Sequence, residues 1–235
     1  MKTLAYVIGG EPRLVLESFK QNDIYKQLCK EYDVSVYIHS WTQLFKWNDE
    51  NQDYRWARTK GYYPPGSKNS KVTIDDIVSE YSIYNPEQVT VDEYDTDYND
   101  DDFPFGQYIS RARAYKSIPQ SDYVWLGRSD LVGQGPLPIL EQGKIHCPNV
   151  TFEESTNSYR AEDWYYAGPY EMFKGLIPWA DDPVASIKSL YTNPWIQELG
   201  DDKIRNTHIW QAILTGDHGN GIFLGDEIKW KLLNY

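Results

Sequence analysis

Cysteine is almost missing from this sequence, with two residues in 235. Cys29 and Cys147 stand apart, and neither has a second cysteine nearby. Nothing in that spacing motivates a disulfide, so two buried thiols in a reducing compartment are expected. Basic residues are also scarce. Lys and Arg number 23 against 35 Asp and Glu, for a net charge of −12 and a pI near 4.7. Phosphate binding along a duplex needs a basic face, so nucleic acid is not expected as a partner. The same balance argues against docking to an anionic membrane surface. Mean hydropathy is −0.66, and no apolar run approaches the ~18–20 residues of a membrane helix. The opening apolar stretch is too short for a secretory leader and has no convincing cleavage site. A cytoplasmic protein without membrane insertion is therefore expected. Gly (16) and Pro (13) are too few for a low-complexity chain.

Aromatic rings are what the sequence has in excess. There are 20 Tyr, 9 Trp and 7 Phe, together 15% of the chain. The core must lean on rings with polar tips, because aliphatic residues are few. The length fits one large domain or two small ones. No internal repeat and no linker is visible, so a single domain over 1–235 is the simpler expectation.

The first forty residues alternate strand, helix, strand. Leu4 to Ile8 is an apolar run of the length a buried parallel strand uses. Gly9-Gly10-Glu11-Pro12-Arg13 reads as a turn. Leu14, Leu16, Phe19, Ile24 and Leu28 recur at helical spacing and predict one helix up to Tyr32. Val34 to His39 is a second strand, which makes a βαβ unit and favours a parallel α/β sheet. Trp41 to Lys71 reads as a short helix and a long irregular loop, and loops of that length are usually functional or mobile. Thr73-Ile74-Asp75-Asp76 has the form of a capping box, and Glu87 to Val91 reads as a third strand. The acidic stretch Asp92 to Asp102 fits a solvated loop. It lacks the Gly and Glu that a calcium loop places at its sixth and twelfth positions. Phe105 to Ile118 predicts an amphipathic helix and Tyr123 to Leu126 a strand. Lys144–Cys147 and Asp163–Ala167 are further strand candidates. Pro169–Leu176, Val184–Tyr191 and Ile204–Leu214 read as helices, and Ile222–Leu224 as a last strand.

The chemistry concentrates between Gly106 and Asp130. A basic helix with Arg111 and Arg113 feeds a buried strand that ends in Gly127-Arg128-Ser129-Asp130. In open α/β sheets ligands bind outside the carboxyl ends of the strands. An acidic residue there can hold a divalent cation, and the cation can neutralise a diphosphate. Arg111 and Arg113 could reach the same phosphates. Asp130 is equally readable as a turn residue, and Arg128 as half of a surface ion pair.

This stretch resembles the core of the GT-A nucleotide-diphospho-sugar transferases, in which an Ala-Arg-Asn-type helix precedes a strand and Asp-x-Asp. Here Arg128-Ser129-Asp130 stands in place of Asp-x-Asp. Tyr6-Val7-Ile8-Gly9-Gly10-Glu11-Pro12-Arg13 and Val34-Ser35-Val36-Tyr37-Ile38-His39-Ser40-Trp41 are similar to the first turn and second strand of a bacterial and viral subgroup. Ala161-Glu162-Asp163-Trp164-Tyr165-Tyr166-Ala167-Gly168-Pro169 resembles that subgroup's Asp-x-(aromatic)-x-x-Gly segment. These motifs are scattered in order over residues 4–215. The resemblance implies an α/β, Rossmann-like single domain, with a mainly parallel mixed sheet flanked by helices. It implies a donor half at about 1–130 and an acceptor half at about 131–235.

What the resemblance implies for the site follows residue by residue. Gly9, Gly10, Arg13, His39, Arg111, Arg113, Arg128 and Asp130 would bind the nucleotide sugar. Asp163 or Glu162 would be the catalytic base. Asp130 alone carries over as a ligand for Mn²⁺ or Mg²⁺, because an Arg cannot ligate a metal. The expected activity is hexosyl transfer from a nucleotide-diphosphate sugar to a glycan hydroxyl. Two rivals stand beside it. One is a non-catalytic carbohydrate-binding or structural protein on a degenerate version of this fold, motivated by the missing first Asp and the aromatic excess. The other is a nucleotidyltransferase, for which Gly9 to Arg13 is a poor phosphate loop. The rings of 41–63 and 164–170 are candidate stacking platforms for sugars. His208 lies where the subgroup tends to show a Glu, and its role stays open.

Overall fold

The computed structural model describes residues 1–10, 15–41, 73–93, 99–100, 103–154, 156, 158–161, 164–200, 203–204, 206–215, 222–226 and 228–232. Strand β1 (Thr3–Gly9), helices α1 (Val15–Gln21) and α2 (Asp23–Glu31), and strand β2 (Asp33–Trp41) come first. Helix α3 (Ile74–Tyr81) and strand β3 (Gln88–Asp92) follow, then the two-residue strands β4 (Asn99–Asp100) and β5 (Phe103–Pro104). Helix α4 (Gly106–Lys116) leads into strands β6 (Tyr123–Gly127), β7 (Leu131–Gln134), β8 (Ile145–Cys147), β9 (Val150–Glu153), β10 (Ser158–Ala161) and β11 (Tyr166–Pro169). A 3-10 run over Tyr170–Leu176 precedes helices α5 (Ile177–Asp181), α6 (Pro183–Tyr191), α7 (Pro194–Leu199) and α8 (Asn206–Thr215). Strands β12 (Phe223–Gly225) and β13 (Lys229–Leu232) complete the series.

The architecture is α/β. One seven-stranded sheet runs in the order β12-β8-β11-β6-β1-β2-β3. Strand β1 lies between β6 and β2 and is parallel to both, with Leu4 opposite Tyr123 on one side and Val34 on the other. Strand β3 continues the parallel run beside β2. Strand β11 is antiparallel to β6 and β8, so the sheet is mixed and mainly parallel. Its central strands are buried on both faces, which is why Leu4 to Ile8 is continuously apolar instead of alternating.

Alternate residues of those strands feed two cores. Leu4, Tyr6, Ile8, Val36, Ile38 and Trp125 point to one face, where they meet α1, α2 and α3 through Val15, Ile24, Leu28 and Ile77. Ala5, Val7, Tyr37, Val124 and Leu126 point to the other, where Tyr108, Ile109 and Ala112 of α4 and Ile209 and Trp210 of α8 cover them. The rings supply much of both cores, as the composition implies. Trp125 stacks on Tyr165 at 4.4 Å and 6°, and Tyr6, Tyr25 and Tyr84 pack on one another with centroids 4.9–6.1 Å apart.

Several expectations need correction. The single helix up to Tyr32 is two helices. Asn22 separates them, because its side chain accepts from the Tyr25 N–H at 3.2 Å and so caps α2. The capping box at Thr73–Asp76 forms in full. Helix α4 is not amphipathic; eight of its residues are buried, including Ser110 and Arg111. The strand expected at Asp163–Ala167 is β11, further along at Tyr166–Pro169. The helix expected at Pro169–Leu176 is the 3-10 run. Strands β7, β9, β10 and β13 and helices α5 and α7 had no strong sequence signal. Both cysteines are free, but only Cys147 is buried; Cys29 is exposed. No helix among the described residues is long and apolar enough to cross a membrane.

Candidate functional site

The site begins with the order of the strands. From β1 the chain steps outward to β2 and β3, then returns through α4 to β6 on the opposite side of β1. The carboxyl ends of β1 and β6 therefore flank a topological switch point, where an open α/β sheet leaves a crevice. Ile8 is opposite Gly127, so Gly9-Gly10 and Arg128-Ser129-Asp130 leave the sheet side by side. Helix packing by itself requires a glycine at position 9. A Cβ there would lie 2.6 Å from both the Arg111 Cγ and the Arg111 backbone N. Gly10 has φ +116°, a conformation that L side chains rarely adopt, and nothing lies within 4 Å of where its Cβ would be. Its N–H donates to the His39 carbonyl at 3.0 Å.

Arg128 and Asp130 form a forked pair. Arg128 Nε donates to Asp130 Oδ1 at 2.9 Å and Nη2 to Oδ2 at 3.0 Å. The Asp130 side chain is 8% exposed and that of Arg128 24%. Two parallel charge-assisted bonds fix the plane of the guanidinium as well as its position. The short turn between the two residues, Arg-x-Asp, is what lets one side chain fold back onto the other.

A second polar cluster sits at the ends of β2 and β3 beneath α4. His39 is fully buried. Its Nε2 is 3.0 Å from Asp92 Oδ2, and its Nδ1 is 2.9 Å from the Ser110 hydroxyl. Arg113 pairs with the same Asp92 oxygen and stacks its guanidinium over the Trp41 ring at 5.1 Å. Burial pushes the His39 pKa below its ordinary value, against the pull of Asp92. The hydrogen bond with His39 holds the Asp92 carboxyl below the usual range, and Arg113 adds to that effect. The Ser110 hydroxyl also donates to the His39 carbonyl at 2.9 Å, which the Gly10 N–H reaches at 3.0 Å. Ser110, His39 and Asp92 are the residue types of a nucleophilic triad, but Ser110 is fully buried. No substrate can approach its oxygen, so the cluster is a brace between β2, β3 and α4.

The remaining expectations fare unevenly. Asp92 is not part of a solvated loop: it is the last residue of β3 and meets His39 and Arg113. A carboxylate brought up by the neighbouring strand β3 has no signal in a one-dimensional reading. Arg111 does not face the crevice. It is 1% exposed, with its guanidinium 5.0 Å above the Trp210 ring. His208 is buried, edge-on to Trp195. Tyr165 and Tyr166 are buried against Trp125, Trp210 and Phe223, so these rings belong to the core and offer no sugar platform. Trp41 is likewise buried. Arg13, Glu162, Asp163 and the segment 42–63 lie outside the described residues. A groove of about 550 Å³ opens elsewhere, between the 3-10 run and α5, α6 and α8; Trp179, Asp182 and Leu190 line it, and none of the strand-end residues does.

The donor set of the site does not fit a divalent cation. Each Asp130 oxygen already faces a guanidinium nitrogen, and among the described residues no group of three or more His, Cys, Asp or Glu gathers to hold a cation.

No protein-family model and no curated protein matches the chain. Among solved structures it is similar to the galactosyltransferase LgtC in complex with donor and acceptor sugar analogs. Identity is 9% and the TM-score 0.48, over 91% of this chain and 71% of that one. An active-site mutant of LgtC gives 7% and 0.49, over 95% and 72%. The glycosyltransferase GlyE of Streptococcus pneumoniae TIGR4 gives 10% and 0.44, over 97% of this chain and 45% of GlyE. Likeness at this level carries no argument about activity.

Proposed function

We propose that this protein is a glycosyltransferase that moves a sugar from a nucleotide-diphosphate donor to a glycan hydroxyl. One observation carries the reading. The Arg128–Asp130 pair and the Gly9–Gly10 turn stand together at the carboxyl ends of β6 and β1, at the switch point of the sheet. That is where this sheet type receives nucleotides, and a fixed guanidinium there suits a diphosphate. The sequence resemblance to GT-A transferases converges on the same residues.

In this reading the donor half spans about 1–130 and the acceptor half about 131–235. Glu162 or Asp163, just before Trp164 in the sequence, takes the proton of the acceptor hydroxyl. The acceptor oxygen bonds to the anomeric carbon, and the electron pair of the broken carbon–oxygen bond leaves on the diphosphate. Arg128, held by Asp130, meets the charge that develops on that leaving group. Charge placed in advance in this way is usually the largest catalytic contribution. No step here runs through a metal, because the donor set does not fit one. Arg13 is a further candidate for the diphosphate from its place in the sequence.

The test is release of nucleoside diphosphate from UDP-glucose, UDP-galactose and GDP-mannose. Turnover of one of them is expected, with kcat falling by about 10²-fold or more in Asp130→Ala. Full activity in that variant overturns the site assignment.

A further inference from the structure

We infer that Arg128 is the resident cation of the diphosphate site, so that a nucleoside diphosphate binds here without a divalent metal. The inference rests on the proposed glycosyltransferase reading and adds to it how the leaving group is neutralised. A guanidinium has five N–H donors. Arg128 gives one from Nε and one from Nη2 to Asp130, which leaves three. Among the described residues no other group accepts from it. Its side chain is 24% exposed while Asp130 is 8% exposed. The anchor is thus buried and the free donors belong to the more accessible partner.

Each half of this arrangement has a physical consequence. The guanidinium stays charged at any physiological pH, and its planar fork matches two phosphate oxygens. Asp130 fixes that fork before the ligand arrives, which lowers the ordering cost of binding. A divalent ion on the same Asp130 oxygens would lie against a fixed positive charge in a poorly solvated position, where repulsion is little screened. Arg111 and Arg113 do not substitute, since one is stacked on Trp210 inside the core and the other is neutralised by Asp92.

The experiment is calorimetric titration of the full chain with UDP and with GDP, in EDTA and again in Mn²⁺. The native protein is expected to bind one of them with affinities in the two buffers that agree within about threefold. Arg128→Ala is expected to weaken binding in EDTA by about tenfold or more, the loss of a charge-assisted contact. Arg128→Lys keeps the charge without the fork and should fall between. In Arg128→Ala, Mn²⁺ should restore part of the affinity, because the fixed guanidinium charge no longer repels a cation beside Asp130. Native binding only in Mn²⁺ overturns this inference and leaves the glycosyltransferase reading standing. Unchanged affinity of Arg128→Ala in EDTA overturns the inference as well. Absence of binding to both nucleotides in both buffers overturns the inference together with the reading. The two native titrations need no variant, so a folding defect in either substitution does not remove the test.

Discussion

Gly9 shows how one missing methyl group positions the site. Helix α4 crosses the end of β1 so closely that a Cβ at residue 9 would meet the Arg111 backbone at 2.6 Å. Gly9→Ala should therefore destabilise the fold by about 1–3 kcal/mol through overpacking. Urea denaturation checks this, and a loss within experimental error would mean that α4 can yield. His39 and Asp92 carry a pH prediction. Both folded-state pKa values lie below their ordinary ones, 6.5 and 3.8, for burial in the first case and the His39 hydrogen bond in the second. The unfolded chain then binds more protons than the folded one on the acid side. The His39 contribution is present above pH 6.5 and is lost as pH falls from there towards its folded value. The Asp92 contribution is present above pH 3.8 and is lost below it. Thermal midpoints should fall between pH 7.5 and pH 5, and His39→Gln should flatten that slope. His146, also lowered by burial, keeps part of it, so the difference between native and variant isolates His39.

At the scale of elements, sequence periodicity found helices and strands but not always their breaks. The spacing from Leu14 to Leu28 runs on across Asn22, yet the residues that α1 buries are Val15 and Ser18 while Leu16 is exposed, and α2 buries Ile24, Tyr25 and Leu28. The break comes from side-chain chemistry. Asn22 caps α2 and also donates to the Leu131 carbonyl at 3.4 Å, which Ser18 reaches at 3.0 Å. One polar knot thus ties α1, α2 and β7 together. Asn22→Ala should cost about 0.5–2 kcal/mol, the usual worth of an N-cap. The denaturant midpoint should drop with an unchanged slope; a changed slope would point instead to an altered denatured state. Helix α4 misled in a different way. Its Arg and Ser residues suggest a wet face, yet tertiary packing buries Ser110 and Arg111.

At the scale of the whole molecule, two cores share the backbone of one sheet, so loss of one is expected to take the other with it. Leu4 lies in one core and Leu126 in the other. Leu4→Ala and Leu126→Ala should each destabilise by about 2–5 kcal/mol. Each should move one common transition, seen alike by tryptophan fluorescence and far-ultraviolet circular dichroism. Separate transitions would instead divide the chain into independent units. The sequence by itself determined the parallel α/β core, through buried runs such as Leu4–Ile8 and Val34–His39. It also pointed to Arg128 and Asp130, because they follow a strand directly and local order is enough to place them. Contacts across the sheet were beyond it. That Asp92 braces His39 and that Arg111 lies inside the core depend on which strands and helices become neighbours. Strand order is set by the burial of two faces at once, a condition that no stretch of sequence expresses alone.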